Sequence, residues 1–167
     1  DSLVARHLVM SRVEFANSVD IVAPLPIDES GKSYAYQDYI FINDKYKGVH
    51  VIDNSNPDTP QKISFIKIAG NVDISIKDDF LYVSIGERGK GMISQDPSNT
   101  VGSIVRIHKD GRIPADNPFV TNSDWSEEVY QIGVRNPQGM DLDPLTNDVF
   151  ISNHGPKGGD FVGKVIK

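Results

Sequence analysis

Three short segments hold the side chains best suited to chemistry: Gly86-Glu87-Arg88, Arg135-Asn136-Pro137-Gln138-Gly139, and His154-Gly155-Pro156-Lys157-Gly158-Gly159-Asp160. Arg135 carries a planar fork of N–H donors that can grip a carboxylate, or pair with an acid such as Asp141 or Asp143. Asn136 beside it can donate to another oxygen. His154 is either a hydrogen-bonded turn residue or a ligand contact. Gly155-Pro156 reads first as a turn, and its exposed carbonyls are of the kind that hold calcium. Asp160 closes the same turn and could add a metal carboxylate. Gly86-Glu87-Arg88 either ends a strand, with Arg88 facing solvent, or takes a role in a site. Of the four histidines, His7 lies near the start and His50 sits inside a strand pattern.

The composition narrows what these groups can do. The chain has no cysteine, which excludes disulfides, thiolate chemistry and cysteine-bound zinc. A net charge of -6 argues against a nucleic-acid partner, which would need clustered Lys and Arg. No apolar run approaches the roughly 18 residues of a membrane helix. The chain begins at Asp1, so any signal peptide lies upstream, and a periplasmic or extracellular location is expected.

The elements that must position these residues read as short strands. Residues 1–32 form a lead-in, with Leu3, Val4, His7, Leu8 and Phe15 at helical steps and Ser11 with Glu14 as a capping pair. Pro24 and Pro26 stop any helix. From Ser33 onward, aromatic and β-branched runs alternate with Asp, Asn, Gly and Pro turns. Asp38-Tyr39-Ile40-Phe41-Ile42 recurs 41 residues later as Asp79-Phe80-Leu81-Tyr82-Val83, and again, after a further 69, as Asp148-Val149-Phe150-Ile151-Ser152. The preceding strand repeats too, since Gly70 to Ile74 resembles Gln138 to Leu142. A step near 40 residues is that of a four-stranded propeller blade. The pattern predicts an all-β fold of propeller-type repeats, with about four blades. The longer second interval is assigned to a loop at Glu87 to Thr100.

Two resemblances follow. Residues 8–83 resemble the LVIVD-repeat propellers, through Tyr39 to Asp53, the Asn54 to Pro60 turn and Gly70 to Asp73. Residues 80–163 resemble the glucose/sorbosone dehydrogenase family, through Val83 to Arg88, Gln95-Asp96, Gly102 to Ile107, Asp110 to Phe119, Gly133 to Gly139 and His154 to Asp160. The division is 1–32, 33–83 and 84–167, with the last two parts forming one continuous domain.

The second resemblance implies a six-bladed propeller that oxidises sugars with pyrroloquinoline quinone (PQQ) and calcium. It implies that Arg135, Asn136 and His154 line the cofactor site, and that the carbonyls of Gly155 and Pro156 hold the calcium. The chain departs from the family in three ways. The base histidine of an earlier blade has no counterpart, and neither His50 nor His7 suits the role. The cationic contacts of later blades have no counterpart before Lys167. Asp160-Phe161 stands where an Asp-Glu pair is expected. Little activity is therefore expected from this chain alone, and open blade edges predict a small closed ring or a symmetric homo-oligomer.

Overall fold

The structure is a computed structural model that describes residues 19–167. The helical pattern anticipated for residues 1–18, and His7 with it, lies outside the described residues. The described chain is almost wholly β. Its strands are β1 (Val19–Val22), β2 (Ser30–Tyr36), β3 (Tyr39–Asp44), β4 (Gly48–Asp53), β5 (Gln61–Ile68), β6 (Asn71–Lys77), β7 (Phe80–Ile85), β8 (Ser103–His108), β9 (Val129–Ile132), β10 (Pro137–Asp143), β11 (Asp148–Asn153) and β12 (Phe161–Lys164). Two short 3-10 turns, Gly91–Gln95 and Pro156–Gly158, complete it. No helix among the described residues is long and apolar enough to cross a membrane.

The strands form three antiparallel sheets, in the orders β1-β5-β4-β3-β2, β6-β7-β8-β9 and β10-β11-β12. Among the described residues three sheets stand where the repeat length gave about four. The difference comes from two long connections rather than one. Besides residues 86–102, the segment 109–128 between β8 and β9 also carries no strand. The sequence repeat has a structural meaning: β3, β7 and β11 are each the second strand of their sheet, and β6 and β10 are equivalent first strands. β1 comes from the expected lead-in and pairs with β5 from Val19↔Ile68 to Val22↔Phe65.

The second sheet is packed on both faces. Leu81, Val83 and Ile85 of β7 meet Phe41, Val49 and Ile66 of the first sheet. Tyr82 and Ile104 meet Met140, Val149 and Ile151 of the third. This is why β7 is buried along nearly its whole length, with Ser84 its one small polar residue, while β11 alternates and leaves Phe150 36% exposed. Full burial of such a side chain contributes roughly 1.5–3 kcal/mol, so these two layers dominate the assembly.

First strands gather around a common axis, with β6 between β2 and β10. Lys32 of β2 donates to the Met140 carbonyl at 2.6 Å and pairs with Asp141 at 3.1 Å. Asp73 of β6 accepts the Met140 N–H at 2.7 Å. Hairpin tips at one end are laced together as well. Asp79 accepts from Gln37 at 3.2 Å and from Lys109 at 2.9 Å, and Asp78 accepts from Asn147 at 3.0 Å. Gln37, Asp78, Asp79 and Asn147 all have positive φ, the left-handed conformation that tight hairpin turns need and that short polar residues tolerate best. Beyond β4, Asp53 and Asn56 accept the N–H groups of Ser55 and Asp58, as the Asn/Asp turn pattern anticipates.

Candidate functional site

At the opposite end, three chain segments converge. They are the exit from β7, the approach to β10 and the exit from β11. Backbone bonds join them: Glu87 N–H donates to the Arg135 carbonyl at 2.7 Å, and His154 N–H donates to the Asn136 carbonyl at 2.9 Å. Asn136 N–H in turn donates to Asn153 Oδ1 at 2.9 Å. The β3–β4 turn joins from the first sheet, where Gly70 N–H donates to the Tyr46 carbonyl at 2.9 Å. Between these segments lies a cavity of about 430 Å³, lined by Tyr46, Gly70, Glu87, Arg88, Arg135 and Asn136 among others.

Arg135 does not pair with Asp141 or Asp143. Asp141 is engaged by Lys32 on the axis. The partner of Arg135 is Glu87, whose Oε1 accepts from Nη2 at 2.5 Å. That carboxylate holds the Arg135 guanidinium above its ordinary value. Glu87 is buried, and its Oε2 is without a hydrogen-bond partner, as is Arg135 Nε. Asn136 is exposed, and its side-chain oxygen accepts from Gln138 at 2.8 Å. Arg88 does not face solvent but is half-buried in the cavity wall.

His154 lines a neighbouring, shallower cavity of about 420 Å³ with Asp160 and Phe161, and Gln138 borders both. Its Nδ1 meets Asp160 Oδ1 at 2.9 Å, and the same carboxylate oxygen accepts the Gly155 N–H at 2.8 Å. Gly155 is sterically required here: a Cβ would lie 2.0 Å from the Gly159 carbonyl oxygen. The Pro156 carbonyl accepts Gly159 N–H at 3.2 Å, which leaves it one lone pair. Arg135 and Asn136 therefore share one cavity, His154 flanks it, and Gly155 and Pro156 line neither.

The other two described histidines, His50 and His108, lie elsewhere. His50 is fully buried in the first sheet, 3.0 Å from Asp44 and with its ring tilted against that of Phe65. His108 packs on the Phe80 ring and borders a different cavity between the first two sheets. No histidine among the described residues lines the cavity of Arg135.

The donor set suits a flat polyanion. Arg88, Arg135 and Asn136 line a cavity whose single carboxylate is already tied to Arg135. This fits the carboxylates and quinone oxygens of PQQ. It suits calcium less completely. No group of three acidic or histidine side chains among the described residues could hold an ion, and calcium takes about six to eight oxygens.

Comparison with known proteins agrees with this architecture. Aldose sugar dehydrogenase YliI of Escherichia coli (strain K12) is 40% identical over 81 residues, covering 48% of this chain but 22% of that protein. The crystal structure of the soluble aldose sugar dehydrogenase of Escherichia coli, in its apo form, superposes with a TM-score of 0.62 at 27% identity, over 78% of this chain and 43% of that one. The PQQ-bound aldose sugar dehydrogenase of Streptomyces coelicolor gives 0.55 at 25% identity, over 77% and 40%. The chain thus spans under half of those structures and about a fifth of the curated relative. The family description matching residues 37–167 reaches back across the LVIVD-like stretch and includes most of all three sheets. On that match, this all-β chain belongs to the glucose/sorbosone dehydrogenase family.

Proposed function

We propose that this chain carries one wall of a PQQ site for aldose sugar oxidation, binds the cofactor weakly by itself, and turns over little or no sugar alone. The observation behind this is the cavity where the exits of β7 and β11 meet the approach to β10, with Arg135 and Asn136 on its wall. Arg135 would grip a carboxylate or quinone oxygen with the donors that Glu87 leaves free, and Asn136 would donate to a second oxygen. His154 would border the cofactor from the flanking cavity. The carbonyls of Gly155 and Pro156 are the candidate calcium ligands, with the remaining oxygens supplied by cofactor and water. When bound, the quinone supplies a two-electron acceptor for the sugar's hydride.

What this wall lacks is a base. Removing the sugar hydroxyl proton needs an acceptor within hydrogen-bond reach, commonly worth about 10²–10⁴-fold in rate. No histidine among the described residues lines the cavity, and Glu87 is engaged by Arg135. The test is dye reduction with glucose, PQQ and calcium, alongside PQQ binding followed by absorbance. Binding with almost no turnover is expected. Turnover near that of a complete family member would overturn the inactivity, and no binding at any concentration would overturn the site.

A non-catalytic or self-associating propeller is the second reading. It is favoured by the outer face of the third sheet, where Phe150 and Val162 are 36% and 75% exposed beside the open edge of β12. A mass measured in solution decides it, because a lone monomer excludes self-association. The LVIVD-like pattern would then serve as the frame of the first sheet, and residues 33–167 would form one continuous domain in the periplasm or outside the cell.

A further inference from the structure

Arg88 is the charged residue of the cavity with no role so far. Its backbone sits at φ +54, a conformation that costs a non-glycine residue energy. Its guanidinium lies across Gly70, where an added Cβ would fall 2.0 Å from Nη2. No hydrogen bond or ion pair to it is present among the described residues, whereas Arg106, Arg112 and Arg135 each have an acid partner. Burial pulls the guanidinium below its ordinary value, and the neighbouring Tyr46 phenol acts in the opposite direction. A half-buried cation has therefore lost water without gaining a counter-charge, in a chain whose net charge is -6. The cavity holds two guanidinium groups and a single carboxylate, Glu87, which Arg135 already occupies.

We propose that Arg88 is a second anion grip of this cavity, holding a carboxylate of the polycarboxylate ligand whose other oxygens meet Arg135 and Asn136. The inference rests on the same cavity as the proposed function but assigns it a residue that the PQQ reading leaves out. Gly70 is part of the device, since only a residue without a side chain lets the guanidinium lie flat against the backbone. The planar fork matches a planar carboxylate in two parallel bonds, which a lysine ammonium cannot reproduce.

The experiment titrates the parent chain, Arg88→Ala, Arg88→Lys and Arg135→Ala with PQQ, and separately with citrate, by equilibrium dialysis. Unchanged thermal midpoints confirm that the variants are folded. Loss of one charge-assisted contact should weaken PQQ binding about tenfold to a hundredfold in Arg88→Ala, with Arg88→Lys in between. PQQ affinity of Arg88→Ala within twofold of the parent, while Arg135→Ala binds weakly, overturns the grip and leaves the proposed site standing. Binding of citrate but not PQQ, lost in Arg88→Ala, supports the grip and overturns the PQQ reading. Binding of neither probe overturns both.

Discussion

Replacing Asn71 by alanine should lower the stability of the whole molecule by about 2–4 kcal/mol, because it removes the polar joint between the first two sheets. Asn71 is fully buried at the start of β6. Its amide group donates to Asn43 Oδ1, to the Asp44 carbonyl at 3.0 Å and to the Gly48 carbonyl at 2.9 Å. Asn43 returns a bond to the Val72 carbonyl at 2.7 Å. The two N–H donors lost are worth about 1 kcal/mol each and Asn43 Oδ1 left bare adds about 1–3 kcal/mol, while removal of Asn71's own unpaired Oδ1 offsets part of this. For a chain of this size 1 kcal/mol moves the melting midpoint by roughly 2–4 °C, so a fall of about 5–15 °C is expected by circular dichroism. Asn71→Asp is the sharper perturbation. It keeps the shape but aims a carboxylate oxygen at three acceptors. The buried acid's folded-state pKa rises above its unfolded value, so the native state binds more protons and the variant gains stability as pH falls. It should be less stable than Asn71→Ala at pH 8 and recover toward it near pH 5. An alanine midpoint within about 2 °C of the parent, or an aspartate variant no less stable than alanine at pH 8, would refute the reasoning.

Burial opposes ionisation of Asp44, but the N–H groups of Asp28 and Glu29 and the His50 ring outweigh it and hold the carboxyl below its usual range. Its contribution is therefore present above the ordinary carboxylate pKa and is lost as pH falls through the depressed value, so Asp44→Asn should flatten the acid limb of a denaturant-midpoint profile. Gly155→Ala places a Cβ 2.0 Å from the Gly159 carbonyl oxygen, and should reshape the 154–160 loop at a cost above about 1 kcal/mol while slackening any PQQ contact, as read by dialysis. Burial, chiefly, with Tyr130 adding, pushes the Tyr82 phenol up to about 12, so an absorbance titration at alkaline pH should show a tyrosine lost in Tyr82→Phe that ionises after the exposed ones.

The parts of the fold legible in the sequence are those fixed by local pattern. The Asp-led repeat marks β3, β7 and β11 because each enters from an acidic hairpin turn and runs up the middle of its sheet. The nearly continuous apolar run Phe80 to Val83 of β7, against the alternation of β11, already encodes which sheet is covered on both faces. β1 was invisible: four residues, Val19 to Val22, are too few for a period, and their partner β5 is remote in sequence. The site was legible as motifs but not as pairings. Arg135 finds Glu87 across 48 positions, and nothing local to Arg135 favours that acid over Asp141. Arg88 looked like an exposed end-of-strand residue because its burial depends on Gly70, on a different segment. The bond between His154 and Asp160, by contrast, is local, and their turn could be read directly.

The lacing of the hairpin tips through Gln37, Asp79, Lys109, Asp78 and Asn147 leaves the other end of the molecule free of that duty. Chemistry and cohesion thus occupy opposite poles. The loops that leave β7 and β11 can drift, lengthen or be exchanged with little effect on those joints. A protein engineer could therefore vary the pole that carries the candidate site on an unchanged base, and substitutions there should leave the hairpin-tip bonds intact.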